Sequence, residues 1–231
     1  LTHQLVLGVD DWLSLGASTV YEASEVPCAL SPALRPVWEG ARLCGPALTV
    51  RCAPADNLGI HRAVELAPPG CVLVVDARGV LVGYWGEVLT RAAQKQGVVG
   101  LVIDGAVRDI DALERLRFPV FARGVSMQGT TKTDPGVIGQ PIRICGAMVE
   151  NGSLMLGDRD GVLSLPAGHV EQTAENARSR QEQEGRYFAR IDDGESTVDI
   201  YGWRERITSP GVDAEPGGPV TASAATLSGR D

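Results

Sequence analysis

Gly86-Glu-Val-Leu-Thr-Arg-Ala-Ala-Gln-Lys-Gln-Gly97 followed by Val98-Val-Gly-Leu-Val-Ile-Asp104-Gly-Ala-Val-Arg-Asp109 decides how this chain folds. The first half reads as a helix over residues 86–96, with Val88, Leu89, Ala92 and Ala93 as its apolar stripe. Gly97 is the turn that stops it. Val98 to Ile103 is a continuous apolar run of strand length, as expected for a strand covered on both faces. The segment Asp104–Asp109 then reads as a loop ending in an Arg–Asp pair.

Upstream, Cys71-Val-Leu-Val-Val75 is a second apolar run of the same kind. Strand 71–75, helix 86–96 and strand 98–103 make a βαβ unit with parallel strands. The C-terminal end of the second strand then lies on the same sheet edge as the N-terminus of the helix. Open parallel sheets bind ligands at that edge. The N–H groups near Glu87, Val88 and Leu89 are free to hold an anion. Arg108 offers a planar fork of donors to a carboxylate or an oxyanion. Asp109 offers hard oxygen to Mg²⁺ or Mn²⁺, and Glu87 could hold the ion's waters. A plainer description fits the same letters: Arg108–Asp109 caps a helix starting near Ile110 and pairs with surface charges.

Further out, Asp10–Ala29 reads as two helical pieces, the second capped by Ser18 or Thr19. Gly45–Cys52 is a strand. Asp56-Asn57 opens a helix with Leu58, Ala63, Val64 and Leu66 facing inward, ended by Pro68-Pro69-Gly70. Asp109–Leu116 is a short helix, and strands follow at 119–122, 142–144 and 162–165. Asp158 and Asp160 lie in a turn before the last of these. His169–Glu184 is a polar helix. From Ser209 the composition turns to Pro, Gly and small residues, which marks an extended tail. The chain divides into a domain over 1–208 and a tail over 209–231.

Bulk composition agrees with an α/β fold. Of 231 residues, 44% are hydrophobic and 22% charged, aromatics are scarce at 5%, and there are 28 glycines. The core is therefore built from Val, Leu, Ile and Ala, which suits close helix–sheet packing. A net charge of −8 without a basic run argues against nucleic-acid binding. The five cysteines form no C-x-x-C pair, which suits buried thiols better than a disulfide framework or a zinc site. No apolar run is long enough to span a bilayer, and Leu1-Thr-His-Gln does not read as a secretory signal, so a cytoplasmic location is expected. His61 falls on the Asn57 helix, where a structural role is favoured over a core-edge or substrate-adjacent one, and Lys132, one of two lysines, reads as a solvated surface residue.

Six segments in order resemble the RraA-like family, in its class II 4-hydroxy-4-methyl-2-oxoglutarate / 4-carboxy-4-hydroxy-2-oxoadipate aldolase branch. They are Ser18–Ala23, Asp56-Asn-Leu-x-x-His-Arg-Ala63, Gly86-Glu-Val-Leu-x-x-Ala-Ala93, Asp104-Gly-Ala-Val-Arg-Asp109, Pro119-Val-Phe-Ala122 and Gly157-Asp-x-Asp-Gly-Val162. The resemblance implies a compact β/β/α sandwich-type α/β domain with a C-terminal helix. It implies a homotrimer or homohexamer with active sites between subunits. It implies a metal-dependent lyase that cleaves a 4-hydroxy-2-oxo acid to pyruvate and a second oxo acid, with oxaloacetate decarboxylation alongside.

By the same resemblance, Asp109 is the direct ligand of a divalent metal, Mg²⁺ first and Mn²⁺ second. Glu87 holds metal waters, Arg108 contacts substrate and stabilises enolate charge, and the amides of Val88 and Leu89 bind the pyruvyl carboxylate. Asn57 lies near substrate. A Glu from the neighbour's C-terminal helix approaches the metal; Glu182 and Glu184 both fit, with Glu184 preferred. Many relatives carry Pro-Gly-Asp where this chain has Asn151-Gly152-Ser153. Two alternatives stay open: a regulator that binds a ribonuclease without catalysis, and a lyase for a different 2-oxo acid in a biosynthetic pathway.

Overall fold

The two apolar runs become neighbouring central strands. A computed structural model of the chain describes residues 7–208. The strands are β1 (Arg35–Pro36), β2 (Leu43–Arg51), β3 (Val72–Asp76), β4 (Gly83–Trp85), β5 (Gly100–Val107), β6 (Val120–Val125), β7 (Val137–Ile138), β8 (Ile142–Ile144), β9 (Ala147–Val149), β10 (Leu154–Gly157) and β11 (Val162–Leu165). The helices are α1 (Val9–Leu15), α2 (Ala17–Ala23), α3 (Leu58–Leu66), α4 (Glu87–Gln96), α5 (Ile110–Arg115), α6 (Val170–Asp192), α7 (Thr197–Ile200) and α8 (Arg204–Thr208). The expected α/β class and the C-terminal helix are both present. The proposed tail over 209–231 lies outside the described residues.

The main sheet runs β1-β6-β5-β3-β2-β10-β11. Its centre, β6-β5-β3-β2, is parallel, while β1, β10 and β11 join antiparallel. Every residue of β3 and β5 is buried, as strands covered on both faces require. Val72–Val75 of β3 pair in parallel with Gly100–Ile103 of β5, so the expected strand–helix–strand unit forms. A small second sheet pairs β8 with β9.

Several local expectations are corrected. β5 continues through Val107, so Asp104–Val107 is strand rather than loop; its far end pairs in parallel with β4. β4 is a strand that Gly83 and two aromatics conceal from pattern reading. The α2 N-cap is Gly16, and the cap is supplied from far along the chain, where Asp158 Oδ2 accepts the Ala17 N–H at 2.7 Å. Helical structure there ends at Ala23. On α3, Leu66 is 61% exposed and the buried face is Gly59, Ile60, Ala63 and Val64. On α4, Leu89, Thr90 and Ala93 face inward, whereas Ala92 is exposed. Thr90 is accepted in the core because its Oγ1 receives the Trp85 Nε1–H at 2.7 Å and donates to the Gly86 carbonyl at 3.0 Å.

The chain forms two compact units, one through Gln183 and one from Glu184. In the first, α6 buries Thr173, Ala174 and Ala177. In the second, Arg190 pairs with Glu195, Ser196 caps α7 through the Asp199 N–H, and the Tyr201 and Trp203 rings stack with centroids 4.7 Å apart. Among the described residues no helix is long and apolar enough to cross a membrane. All five cysteines are free, and burial pushes the Cys44, Cys52 and Cys145 thiols up to about 12.

Candidate functional site

Two adjacent parallel strands deliver the chemistry to one place. β4 ends at Trp85 and hands over through Gly86 to the start of α4. β5 ends at Val107, paired with Trp85, and hands over to Arg108 and Asp109. The Arg108 N–H donates to the Trp85 carbonyl at 2.8 Å, which extends the pairing by one residue. Asp109 then turns sharply, at φ 60° and ψ 41°. This left-handed conformation costs most residues free energy, and Asp tolerates it better than most.

That turn aims the Asp109 carboxylate at α4. Oδ2 accepts the Glu87 backbone N–H at 3.0 Å. Asp109 is the N-cap of α5 by its backbone, but its side chain makes no bond to that helix. The plainer capping description is therefore corrected: the carboxylate serves the other helix. Oδ1 has no hydrogen-bond partner among the described residues. Gly86 makes the approach possible. A Cβ there would overlap Asp109 Oδ2 and lie 3.2 Å from Arg108 Cγ.

The start of α4 leaves donors over, as helix starts do. The Glu87 N–H is capped by Asp109, and the Thr90 N–H donates to the Gly86 carbonyl. The Val88 and Leu89 N–H groups meet no acceptor among the described residues. Both residues line a cavity of about 200 Å³, together with Asn57, His61, Gly86, Arg108, Asp109 and Lys132. The Val88 side chain is 78% exposed, contrary to its expected place in the helix stripe, because its position on the first turn points to the cavity mouth.

Asn57 also lines the cavity. It is 5% exposed, and its Nδ2 donates to the Tyr84 carbonyl at 2.9 Å. Its Oδ1 is buried with no partner, so a donor from a bound molecule or water must satisfy it. His61 follows one turn later on α3. Burial, and then the charge of Lys132, hold its imidazole below the ordinary value, so it is neutral at pH 7. Arg108 and Lys132 have no acidic partner among the described residues, which leaves two cations at the cavity of an acidic protein.

Glu87 behaves differently from its expected role. It is not among the lining residues. Its Oε1 accepts from Arg91 Nη2 at 2.6 Å and Arg91 Nε at 2.9 Å, with Arg115 Nη2 at 3.4 Å. The hydrogen bond from Arg91 is the main reason its carboxyl sits below the usual range. Glu184 lies on α6 in the second unit and is not among the lining residues either. Of the expected residues, the structure thus gathers Asn57, Val88, Leu89, Arg108 and Asp109.

Lys132 and the β4 residues escaped sequence reasoning, and of the two roles open to His61 the structure places it at the cavity. The i, i+4 spacing of Asn57 and His61 puts both on one helix face, which is the signal for the histidine. A larger depression of about 710 Å³ lies elsewhere, beside Trp38 and Arg42. Its Arg35 is engaged by the Arg159 and Asp160 carbonyls and its Arg159 by Glu39, so it offers less free chemistry.

No group of three or more His, Cys, Asp or Glu side chains among the described residues could hold a metal alone. The donor set is sparse: one carboxylate oxygen at the cavity and one acid held nearby. That suits a hard cation such as Mg²⁺, which takes one or two carboxylates and keeps several waters. It does not suit zinc, which wants four ligands.

The sequence profile described as Aldolase/RraA matches residues 17–164. The "Putative 4-hydroxy-4-methyl-2-oxoglutarate aldolase" of Halalkalibacterium halodurans is 35% identical over 173 residues, covering 74% of this chain and 82% of that protein. Among solved structures, the RNA-processing inhibitor RraA of Thermus thermophilis shares 32% identity at a TM-score of 0.58, covering 64% of this chain and 89% of that one. An uncharacterized protein of Pseudomonas syringae shares 26% identity at a TM-score of 0.73, covering 84% and 96%. The matched span contains every residue of the cavity wall, and the chain belongs to the RraA-like (Aldolase/RraA) family.

Proposed function

We propose that this protein is a divalent-metal-dependent aldolase that cleaves a 4-hydroxy-2-oxo acid to pyruvate and a second oxo acid. The observation that carries the reading is the Asp109 carboxylate at the N-terminus of α4, beside two unsatisfied N–H groups and an unpaired arginine. The similarity to a protein named as a 4-hydroxy-4-methyl-2-oxoglutarate aldolase supports it. Asp109 would hold the ion, Mg²⁺ or Mn²⁺, with Glu87 assisting through water after leaving Arg91, and with Glu184 from a second copy in a trimer or hexamer. When bound, the metal supplies Lewis-acid polarisation of the 2-oxo group.

The chain's own residues do the rest. The Val88 and Leu89 N–H groups bind the 1-carboxylate. Arg108 stabilises negative charge as it grows on the 2-oxo oxygen. Asn57 Oδ1 accepts a hydrogen bond from the substrate or from ordered water. The 4-hydroxyl gives up its proton as the C3–C4 bond breaks. C4 becomes the carbonyl of the second oxo acid, and the electron pair stays with C3 as pyruvate enolate, which then takes a proton. Oxaloacetate would lose carbon dioxide to give the same enolate.

The test is pyruvate release from oxaloacetate with Mg²⁺, with and without chelator, beside Asp109→Ala. Chelator-sensitive release that disappears in Asp109→Ala is expected. No pyruvate above the spontaneous rate, from folded and metal-loaded protein, would overturn the reading and favour a binding role.

A further inference from the structure

Breaking the C3–C4 bond of a 4-hydroxy-2-oxo acid requires a group that takes the hydroxyl proton. The ionisable side chains that line the cavity are His61, Arg108, Asp109 and Lys132. A guanidinium and an ammonium offer donors and no acceptor. Asp109 is engaged: its Oδ2 accepts the Glu87 N–H at 3.0 Å, and it is the ligand proposed for the metal. His61 remains, and an imidazole both takes and gives a proton near neutral pH.

Helix α3 brings the ring to the cavity. The His61 N–H donates to the Asn57 carbonyl at 3.2 Å, so the two residues stand one turn apart on one helix face. The start of that helix is fixed from three sides. Asp56 Oδ1 accepts the Leu58 N–H at 2.9 Å, Asn57 Nδ2 donates to the Tyr84 carbonyl at 2.9 Å, and the Asn57 N–H donates to the Thr131 carbonyl at 3.1 Å. Neither nitrogen of the His61 ring has a hydrogen-bond partner among the described residues, so its lone pair is free for a ligand.

The neighbouring cation is held beside the same helix start. Asp56 is 2% exposed, and its Oδ2 accepts the Thr131 hydroxyl at 2.8 Å, the Thr133 hydroxyl at 2.8 Å and the Thr133 N–H at 2.6 Å. Lys132 lies between those threonines. Burial, and then the charge of Lys132, favour the neutral ring, which is the form that accepts a proton. An imidazolium formed beside that ammonium sheds its proton readily.

We propose that His61 is the general base that takes the proton of the substrate's 4-hydroxyl. The inference rests on the 2-oxo acid site proposed above and supplies its proton acceptor. The hydroxyl proton passes to an imidazole nitrogen, the C3–C4 bond breaks, C4 becomes a carbonyl carbon and the electron pair stays with C3. C3 takes a proton from water and the imidazolium returns its own to water, so no proton is gained or lost overall. Oxaloacetate in its keto form has no hydroxyl proton to remove, so its decarboxylation has no such task for His61.

The experiment compares two reactions of the full chain with Mg²⁺, cleavage of 4-hydroxy-4-methyl-2-oxoglutarate and decarboxylation of oxaloacetate. His61→Gln keeps a polar side chain that cannot take the proton. It should lower kcat for cleavage about 100-fold or more with little change in KM, the scale of one general base, and lower decarboxylation only a few-fold. Imidazole added to His61→Ala should restore part of the cleavage. Thermal melts check folding, and His61→Asn carries the comparison if His61→Gln does not fold. A structural role would lower both reactions by the same factor. Equal losses, or no loss of cleavage, would overturn this proposal and leave the aldolase reading standing. Wild type that cleaves no 4-hydroxy-2-oxo acid would sink the aldolase reading and this one with it.

Discussion

The Oδ2 atom of Asp109 and the backbone nitrogen of Glu87, 22 residues apart in sequence, lie 3.0 Å apart. One contact caps α4 and holds Asp109 in its left-handed turn, while Oδ1 meets no hydrogen-bond partner among the described residues. Only a glycine at position 86 leaves room for it. Gly86 itself is extended, at φ −163°, so alanine would be tolerated by the backbone. The effect of Gly86→Ala is therefore steric alone. It should displace the carboxylate, cost about 1–3 kcal/mol of stability and lower turnover roughly 100-fold. Denaturant melts and pyruvate release measure the two effects; a fully active Gly86→Ala protein would show that the carboxylate's position is not needed.

Glu87 is held by Arg91, so Arg91→Gln should let its carboxyl rise toward the ordinary glutamate value, because the hydrogen bond that favours the charged form is gone. A carbon-13 NMR titration of the glutamates reads this directly. If Glu87 assists the metal, the same variant should bind Mg²⁺ more tightly, since the acid no longer has to leave an arginine. Weaker binding would assign the Arg91 pair a supporting role instead.

Asp56 sets an acid limit. Burial alone would raise its pKa, but the bonds from Leu58, Thr133 and Thr131 outweigh that and hold the carboxyl well below the usual range. A folded value below the unfolded one means that its contribution is present above about pH 4 and is lost as pH falls through the folded value. Asp56→Asn should thus be destabilised at neutral pH, with the gap to wild type closing in acid. Equal gaps at pH 7 and pH 3 would contradict this assignment of the charge.

Thr90→Val keeps volume but leaves the Trp85 indole N–H without its acceptor in the core. The expected loss is about 1–3 kcal/mol, and Thr90→Ser should recover most of it. Urea unfolding distinguishes them.

The sequence reveals the parts of this fold that repeat a simple period. Val72–Val75 and Gly100–Ile103 are continuous apolar strands, and Gly97 ends α4 in the left-handed conformation expected of a C-terminal glycine. It does not reveal β4, because three residues with a glycine have no period. Nor does it reveal that Asp104–Val107 stays in the sheet, since its partner is that same hidden strand. At the site, Asp109 and Arg108 read clearly because a strand end puts them there. Lys132 did not, because its place depends on bonds from Asp56, 76 positions before it. Glu87 was legible as an acid at a helix start, but its engagement by Arg91 depends on rotamers that spacing leaves open.

Since Gly86 follows β4 and Arg108 follows its partner β5, the backbone separation between the start of α4 and the Arg108–Asp109 segment is inherited from the pitch of a β-ladder, about 4.8 Å from strand to strand. Side-chain replacement cannot stretch that ruler. A replacement at position 86 or 109 changes which groups are presented there, while the spacing of the two chain segments that carry them is kept by the sheet.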